Sequence, residues 1–343
     1  MKITLLVALH LVCGVDLGAE KVASTLINNS PLKYKGDGGN GTLDYMQYVL
    51  NKAIPYLGRA LGNLTDDAPP QKTKLRFDHA TAAEVIANFN NSLASSCPVR
   101  YFNRNLCLDN TTYSDAHLVE DPNVDAVALV VANNKLKKIV VSYRASITTQ
   151  NFLDDFNGAL VDVPTAPEGA RVSRGFYLNY LATYYKVRKA FTKLLDDHRF
   201  KNYFVLVTGY SLGGGAATIA ISDLTKLVRS RSDPRHIELI SYAAPRAGNS
   251  EYAAYLASLK VPITRITLAY DIVSHLPTRT LNYTHAGQEI HTIQPARLGN
   301  YTIKMCSQEY DEDPACAWAE RKEMSPVRHF FPFGAWFPKH PFS

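Results

Sequence analysis

The chain is 343 residues long, 46% hydrophobic and 20% charged, with a formal net charge of +6 spread along its length. This is an ordinary globular composition, free of repeats, heptads and low-complexity tracts, and it is long enough to bury one large core or two small ones. The small net charge gives no electrostatic footprint for nucleic acid.

Residues 1–19 read as a removable secretory signal. Met1-Lys2 is a short positive start, Ile3 to Val15 a 13-residue mostly apolar run, and Gly18-Ala19 supplies small residues for cleavage. The run is too short to span a bilayer, and no other stretch is long and apolar enough. The sequence therefore predicts a signal peptide over 1–19, a single domain over 20–343, and a secreted, extracellular product. Cysteine usage agrees. Cys13 would leave with the signal, and Cys97, Cys107, Cys306 and Cys316 remain. An even count in a secreted chain implies two disulfides. The equal spacing of the pairs favours Cys97–Cys107 and Cys306–Cys316, with the other connectivities open. No C-x-x-C or H-E-x-x-H occurs, so no metal is expected. Sequons begin at Asn28, Asn40, Asn63, Asn90, Asn110, Asn282 and Asn300. Asn28 is the poorest because Pro31 follows it, leaving the other six as expected glycosylation sites.

The Gly-rich stretch 32–42 lacks the lysine of a phosphate loop and reads as a turn; no cofactor is expected. Tyr45, Val49, Ala53, Tyr56, Leu57 and Ala60 share one face of a helix over 43–61, interrupted by Pro55. A second helix is predicted from Thr81 to Leu93. Strands follow at Asp125–Ala132 and Ile139–Tyr143, joined by a turn at Asn133-Asn134. Next come an amphipathic segment over 147–160, a long helix over 175–197, a strand at Tyr203–Val207 and a helix at Ala216–Val228. Further strands fall at Ile237–Ala243 and Ile263–Ala269. Apolar strands alternating with helices argue for an α/β domain, a central mostly parallel sheet flanked by helices. Lys226, Arg229, Arg231 and Arg235 lie at the end of one helix, where positive charge complements the dipole rather than marking a nucleic-acid site.

Between strand and helix sits Gly209-Tyr210-Ser211-Leu212-Gly213, a G-x-S-x-G nucleophile elbow. A serine hydroxyl attacks a carbonyl only if it projects from a sharp turn, so the flanking positions must be nearly free of side chain. The pentapeptide alone is weak; its place between a strand and a helix gives it meaning. An acid, a base and oxyanion donors should accompany it. Asp271 follows the apolar run Ile263–Ala269, at the carboxyl end of a predicted strand, where α/β sheets gather functional groups. His275, His285, His291 and His329 all follow Asp271, satisfying the Ser…Asp…His order. His275 is only four residues beyond the acid, too near to swing between it and Ser211. Leu212, after the nucleophile, supplies one oxyanion N–H.

From about residue 80 to 340 the chain resembles the fungal-type class 3 lipases, α/β-hydrolase relatives that include secreted fungal and yeast triacylglycerol lipases. The motifs, in order, are IVVSYRAS (139–146), QNFLDDF (150–156), GYSLGG (209–214), SYAAPRAGN (241–249), RITLAYDIVSHLP (265–277) and SPVRHFFPFG (325–334). The resemblance implies an α/β-hydrolase-like fold with a short helical lid, and Ser211, Asp271 and His329 as the triad. His329 matches the family's catalytic histidine; His285 resembles another family histidine and is the fallback. The second oxyanion donor implied is Ser146. Ala145 stands where the family commonly has Gly, and Tyr210 where many members have His, which bears on substrate fit. Thr149 to Phe156 matches the lid, and Phe152, Leu153 and Phe156 can share one helical face that covers the site in water and turns outward at oil. The aromatic tail Phe330 to Phe337 is expected to pack on the sheet and anchor His329. The activity implied is hydrolysis of acylglycerols at a lipid–water interface by a monomer. Alternatives are a mono-/diacylglycerol lipase, a feruloyl-type esterase, or a catalytically silent lipid-binding hydrolase fold.

Overall fold

A computed structural model describes residues 67–96, 111–145, 159–293, 302–324 and 328–329. The predicted signal peptide, the helix over 43–61, the pair Cys97–Cys107, nearly all of 147–160 and the aromatic tail lie outside the described residues.

The centre is an eight-stranded sheet in the order β1-β2-β3-β6-β7-β8-β9-β10, with β1 Tyr113–Asp121, β2 Ala126–Asn133, β3 Lys138–Tyr143, β6 Phe204–Tyr210, β7 Ile237–Tyr242, β8 Ile263–Leu268, β9 Gln288–Ile293 and β10 Thr302–Met305. The run β3-β6-β7-β8-β9 is parallel throughout. The outer pairs β1-β2, β2-β3 and β9-β10 are antiparallel. A separate two-stranded ribbon joins β4 Leu160–Asp162 to β5 Arg171–Ser173.

Parallel strands reached through helical crossovers are covered on both faces, which is why β3, β7 and β8 are buried at every position. Alternate residues divide between two cores. Val130, Val141, Val205 and Val207 face α2 (Arg174–Asp196), α3 (Leu212–Ser230) and α4 (Ser250–Ser258). Leu129, Val131, Val140 and Leu206 face α1 (Ala82–Leu93). Phe176 and Phe191 of α2 are fully buried, each stabilising the fold by roughly 2–3 kcal/mol relative to exposure. α1 starts with a capping box, in which Thr81 accepts from the Glu84 N–H while the Glu84 carboxylate accepts from the Thr81 N–H at 2.8 Å.

The described central elements fall within a few residues of their sequence-based bounds, except the helix after the serine. It begins at Leu212, not Ala216, because Gly213, Gly214 and Gly215 already belong to its first turn. β1, β9, β10 and α4 had no prediction. β9 carries Gln288, Glu289, His291 and Thr292, all buried and so without a polar/apolar alternation. Their partners explain how they can be inside: Glu289 pairs with Arg265 at 2.8 Å and accepts from Thr267 at 2.8 Å.

The chain from 306 to 320 is tied to this body by charge and closed on itself by sulfur. The fully buried Arg246 guanidinium meets both Glu312 carboxylate oxygens, at 2.7 and 2.8 Å, and donates to the Pro277 carbonyl at 2.8 Å. Arg279 pairs with Asp311 at 2.7 Å. Burial raises the Glu312 pKa, but Arg246 overcomes this and holds the carboxyl well below its ordinary range. Cys306 and Cys316 form a disulfide.

Candidate active site

The elbow is built by close contact. β6 delivers Ser211 at φ 57 and ψ −129, a conformation that non-glycine residues adopt only when their surroundings hold them there. Its N–H donates to the Tyr242 carbonyl at 2.9 Å, and its own carbonyl accepts from the Gly214 N–H at 2.8 Å. A Cβ on Gly209 would come within 2.3 Å of the Gly213 carbonyl carbon, and a Cβ on Gly213 within 2.0 Å of the Tyr143 oxygen. Those absent carbons let α3 start directly against the end of β3. That contact brings Tyr143, Arg144 and Ala145, the approach to Ser146, beside the elbow; Ser146 itself lies outside the described residues. Leu212 opens α3, so its N–H is one that a helix leaves without an intrahelical acceptor.

Asp271 comes just after β8 and is 1% exposed. Its Oδ1 accepts from the Val273 N–H at 2.9 Å, which leaves Oδ2 for His329. The Nδ1 of His329 lies 2.8 Å from Asp271 Oδ2, and its Nε2 lies 2.7 Å from Ser211 Oγ. A carboxylate only accepts, so Nδ1 carries the proton and Nε2 offers its lone pair to the serine hydroxyl. Residues 211, 271 and 329, far apart in sequence, thus form one hydrogen-bonded line.

The competing histidines face other neighbours. His275 lies in a turn against Trp318, ring centroids 6.3 Å apart, and burial with the nearby Arg246 charge pushes its pKa down to about 3. His285 Nε2 is 2.7 Å from the Ser274 carbonyl, and burial holds its pKa well below the ordinary value. His291 lies between Thr267 Oγ1 at 2.9 Å and Glu320 at 3.2 Å.

Tyr210, expected to bear on substrate, is fully buried, and its hydroxyl donates to the His329 backbone carbonyl. A contact that sequence reasoning missed is Glu320. Its Oε2 accepts from the Tyr270 N–H at 2.6 Å, holding the residue before Asp271 at φ 59. The Arg328 guanidinium sits 5.8 Å from the Tyr270 ring centroid. Nothing local in the sequence around Glu320 signals this role.

Of the remaining expectations, Phe152, Leu153, Phe156, Asn40, Asn63, Asn110 and Asn300 lie outside the described residues, and Asn90 and Asn282 are exposed. Glu289, Cys306 and Cys316 lie close enough to suggest a metal site. The two sulfurs are bonded to each other and the carboxylate to Arg265 and Thr267, so the group offers no ligand set. Among the described residues, no helix is long and apolar enough to cross a membrane.

A strand–serine–helix elbow at the carboxyl end of a largely parallel sheet, with an aspartate after a later strand and a histidine beyond it, is the arrangement of the α/β-hydrolase fold. Comparison narrows the class: residues 140–281 match the family described as Lipase (class 3). It is 30% identical to a lipase of Rhizomucor miehei over 167 residues, 48% of this chain and 44% of the relative. It is likewise 30% identical to the secreted mono- and diacylglycerol lipase 1 of Fusarium solani over 162 residues, 47% of this chain and 46% of the relative. The chain thus spans about half the length of the curated relatives it matches. The structure of the Rhizomucor miehei lipase propeptide complex shares the fold, with a TM-score of 0.63 at 23% identity over 81% of this chain and 92% of that one.

Proposed function

We propose that the protein is a secreted serine carboxylic-ester hydrolase that cleaves acylglycerols. The observation that carries this reading is the His329 imidazole, hydrogen-bonded at once to Ser211 and Asp271. In the proposed reaction Ser211 Oγ attacks the ester carbonyl while His329 Nε2 takes its proton, and Asp271 stabilises the imidazolium. The negative charge that forms on the carbonyl oxygen is held by the Leu212 N–H, at the positive end of α3, and by Ser146. His329 then protonates the departing glycerol oxygen, and water repeats the sequence on the acyl-enzyme to release the fatty acid. No step calls for a metal or an organic cofactor. The segment carrying Phe152, Leu153 and Phe156 acts as a lid that opens toward lipid, with the enzyme working as a monomer at an emulsion or droplet surface.

The relatives' names support acylglycerols as the substrate class: a lipase in Rhizomucor miehei, and secreted mono- and diacylglycerol lipases in Fusarium solani and Penicillium cyclopium. The last two favour partial glycerides as the second reading. Secretion is further supported by the Cys306–Cys316 disulfide, a bond that persists in oxidising compartments. The test has two stages. A serine-directed phosphonate should label the wild type and not Ser211→Ala; labelling of both would remove Ser211 from the mechanism. Initial rates on emulsified tri-, di- and monoglycerides then assign the substrate, and no turnover of any of the three would overturn the acylglycerol reading.

A further inference from the structure

We propose that Tyr210 is a positioning residue for the base: its phenol anchors the His329 backbone, so that the imidazole stays between Asp271 and Ser211. This rests on the triad reading above. The Tyr210 hydroxyl donates to the His329 carbonyl across 119 positions of sequence. The two rings lie 5.2 Å apart between centroids at 37°. Tyr210 immediately precedes Ser211, so the residue beside the nucleophile grips the residue that activates it. The distance from hydroxyl to imidazole is therefore set across one side chain rather than through the whole sheet. Asp271 and Ser211 extend directly from strands β8 and β6, whereas His329 is on no strand of the sheet and depends on contacts such as this one.

The ring is itself fixed. Phe89 of α1 meets Tyr210 edge-on at 6.4 Å and Tyr242 edge-on at 5.3 Å. The Tyr242 hydroxyl donates in turn to the Val85 carbonyl at 2.5 Å. Turning Tyr210 away would disturb β6, β7 and α1 together. Its hydroxyl is also a permanent donor: burial, with the Asp271 charge adding, pushes the phenol well above its ordinary range. A protonated phenol facing a carbonyl, which only accepts, is a bond that ordinary pH does not interrupt.

Tyr210→Phe keeps the ring and removes the donor. With a soluble nitrophenyl ester, kcat should fall on the order of tenfold, equivalent to about 1.4 kcal/mol, while KM stays within about twofold. Phosphonate labelling of Ser211 should slow by the same factor, because both reactions need the base in place. Thermal unfolding separates this from simple destabilisation: a lower Tm with wild-type kcat and labelling would overturn the proposal, and so would a loss confined to KM. If Tyr210→Phe does not fold, Tyr210→His offers a shorter ring that cannot reach the His329 carbonyl, and the same losses are expected. Wild-type rates in that variant would likewise overturn the positioning role. An unlabelled wild type would sink the hydrolase reading and this inference together, whereas a labelled wild type beside an equally labelled Tyr210→Phe sinks the inference alone.

Discussion

Replacing Asp271 by Asn should disable the reaction without removing a single contact. The two ends of the new amide are not equivalent: one accepts and the other donates. Val273 donates its N–H to Oδ1 at 2.9 Å, and at 1% exposure no solvent can replace that acceptor. Turning the NH2 toward Val273 would set two donors face to face, leaving a buried group unsatisfied at about 1–3 kcal/mol. The amide therefore keeps its oxygen on Val273 and points its NH2 at His329 Nδ1. That nitrogen must now accept, so the imidazole proton moves to Nε2, and the lone pair that should receive the Ser211 proton is gone. The wrong tautomer is expected to lower kcat by ~10⁴, about 5 kcal/mol of barrier, with KM and Tm little changed. Steady-state rates on a soluble ester beside a thermal melt measure this. An Asp271→Asn protein that melts normally and keeps more than about a tenth of wild-type kcat would refute the orientation argument.

Gly213→Ala sets a Cβ 2.0 Å from the Tyr143 oxygen, a backbone atom that cannot rotate away; a loss of about 1–3 kcal/mol in urea unfolding is expected, and an unchanged midpoint would show that α3 can withdraw from β3. His275, pushed down to about 3 by burial, makes stability depend on acidity in a defined direction. Below about pH 6.5 the unfolded chain protonates this ring while the native state does not, so stability falls by about 1.4 kcal/mol per unit as pH drops toward 3, and above 6.5 the group contributes nothing. His275→Phe should flatten that acid slope in urea titrations by close to one proton. Replacing both Cys306 and Cys316 by Ser opens a loop of sequence separation 10, for an expected loss of about 3 kcal/mol on the chain-entropy account. Glu320→Ala removes the acceptor for the Tyr270 N–H and should lower kcat several-fold, with Glu320→Gln recovering most of it through its amide oxygen; equal kcat in the wild type and both variants would make the contact purely structural.

How much of this was legible beforehand depended on the scale of the signal. The candidate nucleophile and acid stand out in the sequence because each is punctuation: Ser211 interrupts a strand–helix junction, and Asp271 ends an apolar run. Choosing His329 among four candidates needed the family resemblance, since histidine carries no local pattern. The structure brings it to both partners and sends His275, His285 and His291 to other neighbours. The predicted start at Ala216 falls late because helix propensity disfavours Gly213, Gly214 and Gly215 and ignores what Gly213 and Gly215 adjoin, the Tyr143 carbonyl and the Phe176 ring. β9 escaped detection because its buried polar groups are satisfied by partners such as Arg265 and Thr267, which only the fold brings near. Glu320 and the role of Tyr210 are likewise long-range facts. No window of sequence holds both the phenol and the carbonyl it grips.

The order in which the chain supplies its parts has a consequence for biosynthesis. Ser211 and Asp271 directly follow strands of the sheet, which takes shape as the polypeptide emerges from its amino end; His329 arrives after every described strand is complete. A nascent or prematurely terminated product that has built the whole sheet but stops short of His329 would be well folded and chemically inert. On the proposed mechanism, competence thus switches on only at the close of assembly, because the imidazole is the last of the three groups to be synthesised.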